Sequence, residues 1–351
     1  MKSMALSNWC TPAIVLVTAL FFTHGSFGAG TNGSPYIPDF QSTRADAEKG
    51  DVVAEDNLAK MYLYGDNVPQ DFAEAAQWFR KAAKQGDSGA EYNLGVCYDN
   101  GKGVSQDHGQ AKAWYLKAAT DGSAEAMLNL GVIYFQGTES TQDYDSALEW
   151  FRKAAHAGLP IACDYLCIMY LNGDGVEANT NEAVKWIREG AEKGSVWAQT
   201  KLGVYYQEGK GVPKDNAEAL KWLQMAAQKG YALALENLGT TYFNGWGVAT
   251  NLQKAAHLLR QAADQGDAMA QAKLSACYFY GRGVSRNLAE AYKWTTLAAQ
   301  QGNSIAVHLQ DAVSQKIPPE DIAEGYRRAE AFVPHPKLFP GEPGGSLGGD
   351  N

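Results

Sequence analysis

Residues 86–122 read GDSGAEYNLGVCYDNGKGVSQDHGQAKAWYLKAATDG, and their pattern returns at a fixed interval over most of the 351-residue chain. Tyr62, Tyr98, Tyr134, Tyr170, Tyr206, Tyr242 and Tyr278 follow one another at a spacing of 36 residues. Trp78, Trp114, Trp150, Trp186, Trp222 and Trp294 keep the same step, with Leu258 in the one remaining place. Gly86, Gly122, Gly158, Gly194, Gly230, Gly266 and Gly302 close the units. Three columns in register over seven units define a repeat protein, in which each unit is a small supersecondary element stacked on its neighbours.

The quoted stretch gives two helices. Ala90, Leu94, Cys97 and Tyr98 lie at i, i+4, i+7 and i+8, one apolar stripe of a 3.6-residue helix. Gly101-Lys102-Gly103-Val104 stops it, because glycine accepts the left-handed backbone of a helix C-terminus. Asp107 is placed to cap a second helix that carries Ala111, Trp114, Tyr115, Ala118 and Ala119 inward and ends at Gly122. Leu-Gly steps (Leu94-Gly95, Leu130-Gly131, Leu202-Gly203, Leu238-Gly239) and alanine pairs (Ala82-Ala83, Ala118-Ala119, Ala226-Ala227, Ala262-Ala263) let helix backbones approach closely, while Tyr and Trp fill the gaps. The expected fold is all-α: a right-handed α-α solenoid of seven 36-residue helix-turn-helix repeats.

The string Ala-x-x-x-Leu-Gly-x-x-Tyr-x-x-Gly-x-Gly-Val followed by Ala-x-x-Trp-x-x-x-Ala-Ala-x-x-Gly resembles the Sel-one-like repeat, a relative of the tetratricopeptide repeat. The resemblance covers residues 50–301. Asn67 and Glu139 depart from it at the second loop glycine, and Cys167 and Ser275 depart at the Leu-Gly step. The resemblance implies a scaffold that holds other proteins, as such repeats do in signalling, quality control or host interaction.

The ends read differently. Lys2 and the apolar run Ala13–Phe22, followed by Ser26 and Gly28, have the layout of a cleavable signal peptide over residues 1–28. A secreted or periplasmic protein with no stable membrane insertion after cleavage is expected. Residues 29–49 are a linker with a partial N-terminal cap, residues 302–333 a partial repeat and capping helix interrupted at Pro318-Pro319, and residues 334–351 a disordered tail. Of five cysteines, Cys97, Cys163, Cys167 and Cys277 lie within the repeats and read as small buried thiols.

Chemistry is sparse. The histidines are scattered, no His-Glu-x-x-His or Cys-x-x-Cys occurs, and Gly344-Gly345-Ser346-Leu347-Gly348 lacks the strand and helix of a nucleophile elbow. No cofactor, metal or catalytic residue is implied. The net charge of −9 opposes an electrostatic grip on nucleic acid. The alternative is a weak β-lactam-binding or hydrolysing enzyme, as described for exported cysteine-rich relatives, but their cysteine pair in nearly every unit is missing here. Glycan binding through aromatic stripes is a third reading.

By analogy with tetratricopeptide packing, partners meet variable positions of the first helices on a concave face. One apolar column there contributes Ile161, Trp197, Leu233 and Met269, and a second contributes Leu63, Phe135, Leu171, Phe243 and Phe279. A third is rich in amides and tyrosine: Tyr64, Asn100, Gln136, Asn172, Asn244 and Tyr280; Tyr92 belongs to the same surface. Apolar pockets bordered by amides suit an extended peptide. The competing placement for any of these residues is the core between repeats. Asp56, Asp164, Glu208 and Glu236 outweigh Lys and Arg in these columns, so the expected partner segment is apolar or basic.

Overall fold

A computed structural model of the chain describes residues 39–137 and 142–337. The described residues contain seventeen helices and no strand. They fall into two compact units, one ending at Asn179 and one running from Thr180. The first unit holds α1 (Phe40–Glu48), α2 (Val52–Tyr64), α3 (Phe72–Lys84), α4 (Ser88–Asn100), α5 (His108–Thr120), α6 (Ala124–Gln136), α7 (Tyr144–His156) and α8 (Pro160–Asn172). The second holds α9 (Thr180–Glu192), α10 (Val196–Glu208), α11 (Asn216–Gln228), α12 (Ala232–Asn244), α13 (Leu252–Asp264), α14 (Ala268–Tyr280), α15 (Leu288–Gln300), α16 (Ser304–Ser314) and α17 (Pro319–Glu330). Even-numbered helices α2 to α14 are the first helices of the seven repeats, and odd-numbered helices α3 to α15 are the second.

Each helix begins and ends where its sequence dictates. Asp87 caps α4 by accepting from the Ala90 amide at 2.7 Å, and Asp107 caps α5 by accepting from the Gln110 amide at 2.9 Å. Leu159 offers no capping side chain to α8, which starts instead with Pro160 at its first turn, where the missing N–H costs nothing. The first helices with described ends stop on a left-handed glycine, such as Gly101 (φ 65°), whose N–H bonds the Cys97 carbonyl. Asn67 stands at φ 59° in the place of the second loop glycine, the backbone that asparagine tolerates best after glycine. At the equivalent Gly103 no other residue fits: a Cβ would lie 1.8 Å from the Phe72 carbonyl oxygen, because this loop rides on the start of the preceding α3.

Packing explains the repeated residue types. A Cβ on Gly95 would sit 2.7 Å from the Tyr115 ring, and one on Gly131 would sit 2.6 Å from the Phe151 ring. The Leu-Gly step is therefore the seat for a large side chain of the second helix in the same repeat, aromatic at Gly95 and Gly131 and leucine (Leu223, Leu259) at Gly203 and Gly239. Ala82, Ala118, Ala154, Ala226, Ala262 and Ala298 are wholly buried, as are Leu58, Leu94, Leu130, Leu166, Leu202 and Leu274. Each such leucine contributes roughly 1.5–3 kcal/mol by leaving water. At Ser275 a hydroxyl replaces the glycine and bonds the Ala291 carbonyl at 2.9 Å and the Thr295 hydroxyl at 2.5 Å.

The tyrosine column has a second duty that periodicity alone does not reveal. Arg80 donates to the Tyr98 hydroxyl at 2.8 Å, Arg152 to Tyr170 at 2.6 Å, and Arg188 to Tyr206 at 2.8 Å; Arg260 makes the same contact with Tyr278. Every bond joins the second helix of one repeat to the first helix of the next. The tryptophans are less uniformly internal than their period suggests. Trp294 is fully buried, but Trp114, Trp150 and Trp186 are only half-buried. Lysine ammonium groups lie 4.0 Å over Trp114 and 4.1 Å over Trp150.

At the N-terminal end α1 packs on α2. At the other end α17 packs on α15, with Arg328 donating to Glu290 at 2.7 Å. Residues 334–337 correct the boundary expected for the tail. The His335 amide donates to the Asp264 carbonyl at 2.9 Å, and the Lys337 ammonium donates to the Lys229 carbonyl at 3.5 Å, so four more residues stay docked on the repeats. The expected signal peptide, the start of the linker, the Glu139 loop position and residues 338–351 lie outside the described residues. No described helix is long and apolar enough to cross a membrane.

Candidate functional site

The expected partner-facing residues divide into two groups. Tyr92, Phe135 and Trp197 are buried, with 7%, 8% and 8% of their surface exposed. Tyr92 packs on Tyr115 and Phe135 on Phe151, so these rings belong to the interior between helices and are not platforms for a ligand. The others reach the surface. Asn100, Gln136, Leu171, Leu233, Phe243 and Phe279 are half-buried, and Asn172, Asn244 and Tyr280 are exposed. Asn100 turns back on its own helix, donating to the Val96 carbonyl at 2.9 Å, and Asn172 donates to Asp174 at 3.1 Å.

Phe243 and Asn244 come together at a pocket of ≈ 290 Å³ in the second unit. Thr240, Phe243 and Asn244 from the end of α12, Leu259 from α13, Lys273, Ala276 and Cys277 from α14, and Arg282 from the following loop line it. Leu259 and Cys277 form an apolar floor. At the mouth the Arg282 guanidinium carbon lies 5.9 Å over the Phe243 ring and 5.0 Å over the Tyr280 ring. The second cation, Lys273, is already committed: it pairs with Glu236 and donates to the Thr240 hydroxyl at 2.8 Å.

Side-chain volume opens this space. The column containing Ala276 runs Lys60, Val96, Val132, Ile168, Val204, Thr240, Ala276, and alanine is its smallest member. The column four residues earlier runs Asp56, Tyr92, Leu128, Asp164, Thr200, Glu236, Ala272, and it too ends on alanine. Where larger residues stand, as at Tyr92 and Val96, the interior is filled. Lys273, Ala276 and Arg282 were absent from the sequence-derived site. Their signal was a shrinking column combined with the variable middle residue of the Gly-x-Gly loop, which is arginine only at position 282.

Of the four acidic residues expected to set partner charge, three lie inside the fold. Asp164 is wholly buried and Glu236 is buried against Lys273. Asp56 is buried with one carboxylate oxygen on Lys60 at 2.5 Å and the other, Oδ1, without a hydrogen-bond partner among the described residues. Burial, partly offset by Lys60, raises its pKa above the usual carboxylate value. Of the four, Glu208 alone is exposed.

Reactive chemistry is poorly served here. All four described cysteines are buried. Burial raises the Cys277 thiol above its ordinary pKa, and pushes Cys97 up to about 12, which suppresses the thiolate a nucleophile needs. The pocket holds no histidine or carboxylate of its own lining to act as a base.

The profile of the Sel1 repeat family matches seven times, over residues 52–87, 88–123, 124–159, 160–195, 198–231, 232–267 and 268–303. Among solved structures, the chain is similar to c5321, a protective antigen present in uropathogenic Escherichia coli strains that displays this repeat fold. The identity is 31% and the TM-score 0.76, over 83% of this chain and 63% of that one. It is also similar to a Sel1 repeat protein from Oxalobacter formigenes, with 34% identity and a TM-score of 0.64 over 78% and 79% of the two chains. The chain thus spans less than two thirds of the length of the Escherichia coli antigen. Among curated proteins no sequence match is found.

Proposed function

We propose that this chain, which belongs to the Sel1 repeat family, is an exported, non-enzymatic scaffold that binds a protein or peptide partner on the face formed by the first helices of its repeats. Proteins of this repeat family are generally protein-interaction scaffolds. The observation that carries the reading is the contrast between a periodic, filled interior and one pocket that departs from the period and offers apolar walls and cations but no nucleophile–base pair. Export rests on the charge, apolar run and small residues of 1–28.

The test is affinity capture from the exported fraction of the native host with purified protein, beside the Phe243→Ala variant. A partner retained by the parent and lost by the variant supports the reading. An identical catch from both removes the pocket from it. The same preparations are assayed with a chromogenic β-lactam. Turnover proportional to protein concentration, above the rate in buffer, would replace the scaffold with an enzyme.

A further inference from the structure

We infer that the α12–α14 pocket receives the C-terminal residue of a peptide, with its apolar side chain inside and its α-carboxylate on Arg282. The inference rests on the scaffold reading and specifies the chemistry of its partner.

Three observations lead to it. The first is size: at ≈ 290 Å³ the pocket is at the small end of ligand cavities, which run roughly 300–1,000 Å³, so it suits one or two residues and not a long segment. The second is charge. Lys273 is neutralised by Glu236, whereas Arg282 has no ion pair or side-chain hydrogen bond among the described residues. Arg282 is held against two ring faces instead of a carboxylate, so the mouth carries one uncompensated positive charge. A guanidinium binds a carboxylate with paired N–H donors, and stacking on aromatic rings restricts its orientation beforehand. The third is the rim: the exposed Asn244 side-chain amide makes no hydrogen bond among the described residues and can offer a peptide backbone both a donor and an acceptor.

A cation directly beside an apolar pocket requires an anion directly beside an apolar group. A C-terminal residue meets that requirement, because its side chain and its carboxylate leave the same Cα. An internal Asp or Glu carries its charge on a separate side chain, and its chain continues past the site in both directions. The C-terminus is the more compact fit.

Calorimetric titration of the full chain with acetyl-Gly-Ser-Gly-Leu as the free acid tests this. Its controls are the same peptide as a C-terminal amide and acetyl-Gly-Leu-Glu-Gly amide, which carries an internal carboxylate. The acid is expected to bind saturably and the amide about tenfold more weakly or worse. Arg282→Gln should reduce the acid to the affinity of the amide without changing the amide. Ala276→Ile, which fills the pocket, should abolish both, and unchanged thermal melting would show that each variant folds. Equal affinity for acid and amide, no saturable binding of the acid, or internal-Glu binding as tight as the acid would overturn the inference. A host partner captured equally by the parent, Arg282→Gln and Ala276→Ile would leave the scaffold standing and refute this use of the pocket.

Discussion

The same register positions produce a closed interior near α2–α4 and an open pocket at α12–α14. In the first region Leu63, Tyr92 and Val96 are buried, with exposures of 2%, 7% and 4%. In the second their counterparts are Phe243, Ala272 and Ala276, and a pocket of ≈ 290 Å³ remains beside Ala276. The backbone device is shared: a first helix stopped by a left-handed glycine, at Gly101 in one case and Gly281 in the other. The difference teaches that this fold tolerates a cavity without altering its frame, with a small side chain, Ala276, lining it where Val96 fills the first region. Close packing elsewhere keeps the walls in place.

The largest test of that contrast is to open the closed region. Tyr92→Ala should cost about 3 kcal/mol, because a buried ring is lost and the neighbouring helices cannot fully collapse. Urea denaturation followed by circular dichroism measures it, and a loss under about 1 kcal/mol would show that the region is already loosely filled. The reverse change, Ala276→Val, should alter stability by less than about 1.5 kcal/mol, because the side chain enters existing space. A loss above about 3 kcal/mol would mean that no such space exists in solution.

A third test uses pH. The folded-state pKa of Asp56 is raised, so between its unfolded and folded values the folded chain holds the proton more tightly. Stability contributed by the neutral carboxyl is present below that window and lost as pH rises through it. Asp56→Asn should therefore gain stability relative to the parent as pH goes from about 4 to 7, the lower limit being the unfolded carboxyl value. Urea midpoints at the two pH values measure the difference. A gap that is constant or shrinks would assign Asp56 a stabilising ion pair with Lys60 instead. The smallest effect on stability is expected at Arg282→Gln, within about 1 kcal/mol, since the exposed side chain loses only its ring contacts and makes no ion pair among the described residues. A larger loss would make Arg282 a structural residue.

Much of the frame was legible because its requirements repeat. The cap residue Asp107, Gly95 at a close approach between helices, and Asn67 in place of a loop glycine all stand where the sequence placed them. The candidate site was legible only in part. Phe243 and Asn244 line the pocket, and Tyr280 lies under Arg282, but Tyr92, Phe135 and Trp197 are interior. Aromatic residues at variable positions fit either environment, and spacing along one helix does not say whether a neighbouring helix covers them.

The sequence alone determined the helical repeat and its period, because each unit must bury the same face and glycine, alanine and leucine recur wherever two backbones meet. It also fixed the loops, since few residues accept a left-handed backbone. Only the tertiary structure decided which variable side chains remain available, which charges are spent on one another, and where the interior is left unfilled. Those outcomes depend on summed volumes and distances between residues about 30 to 40 positions apart, and no single column carries that sum.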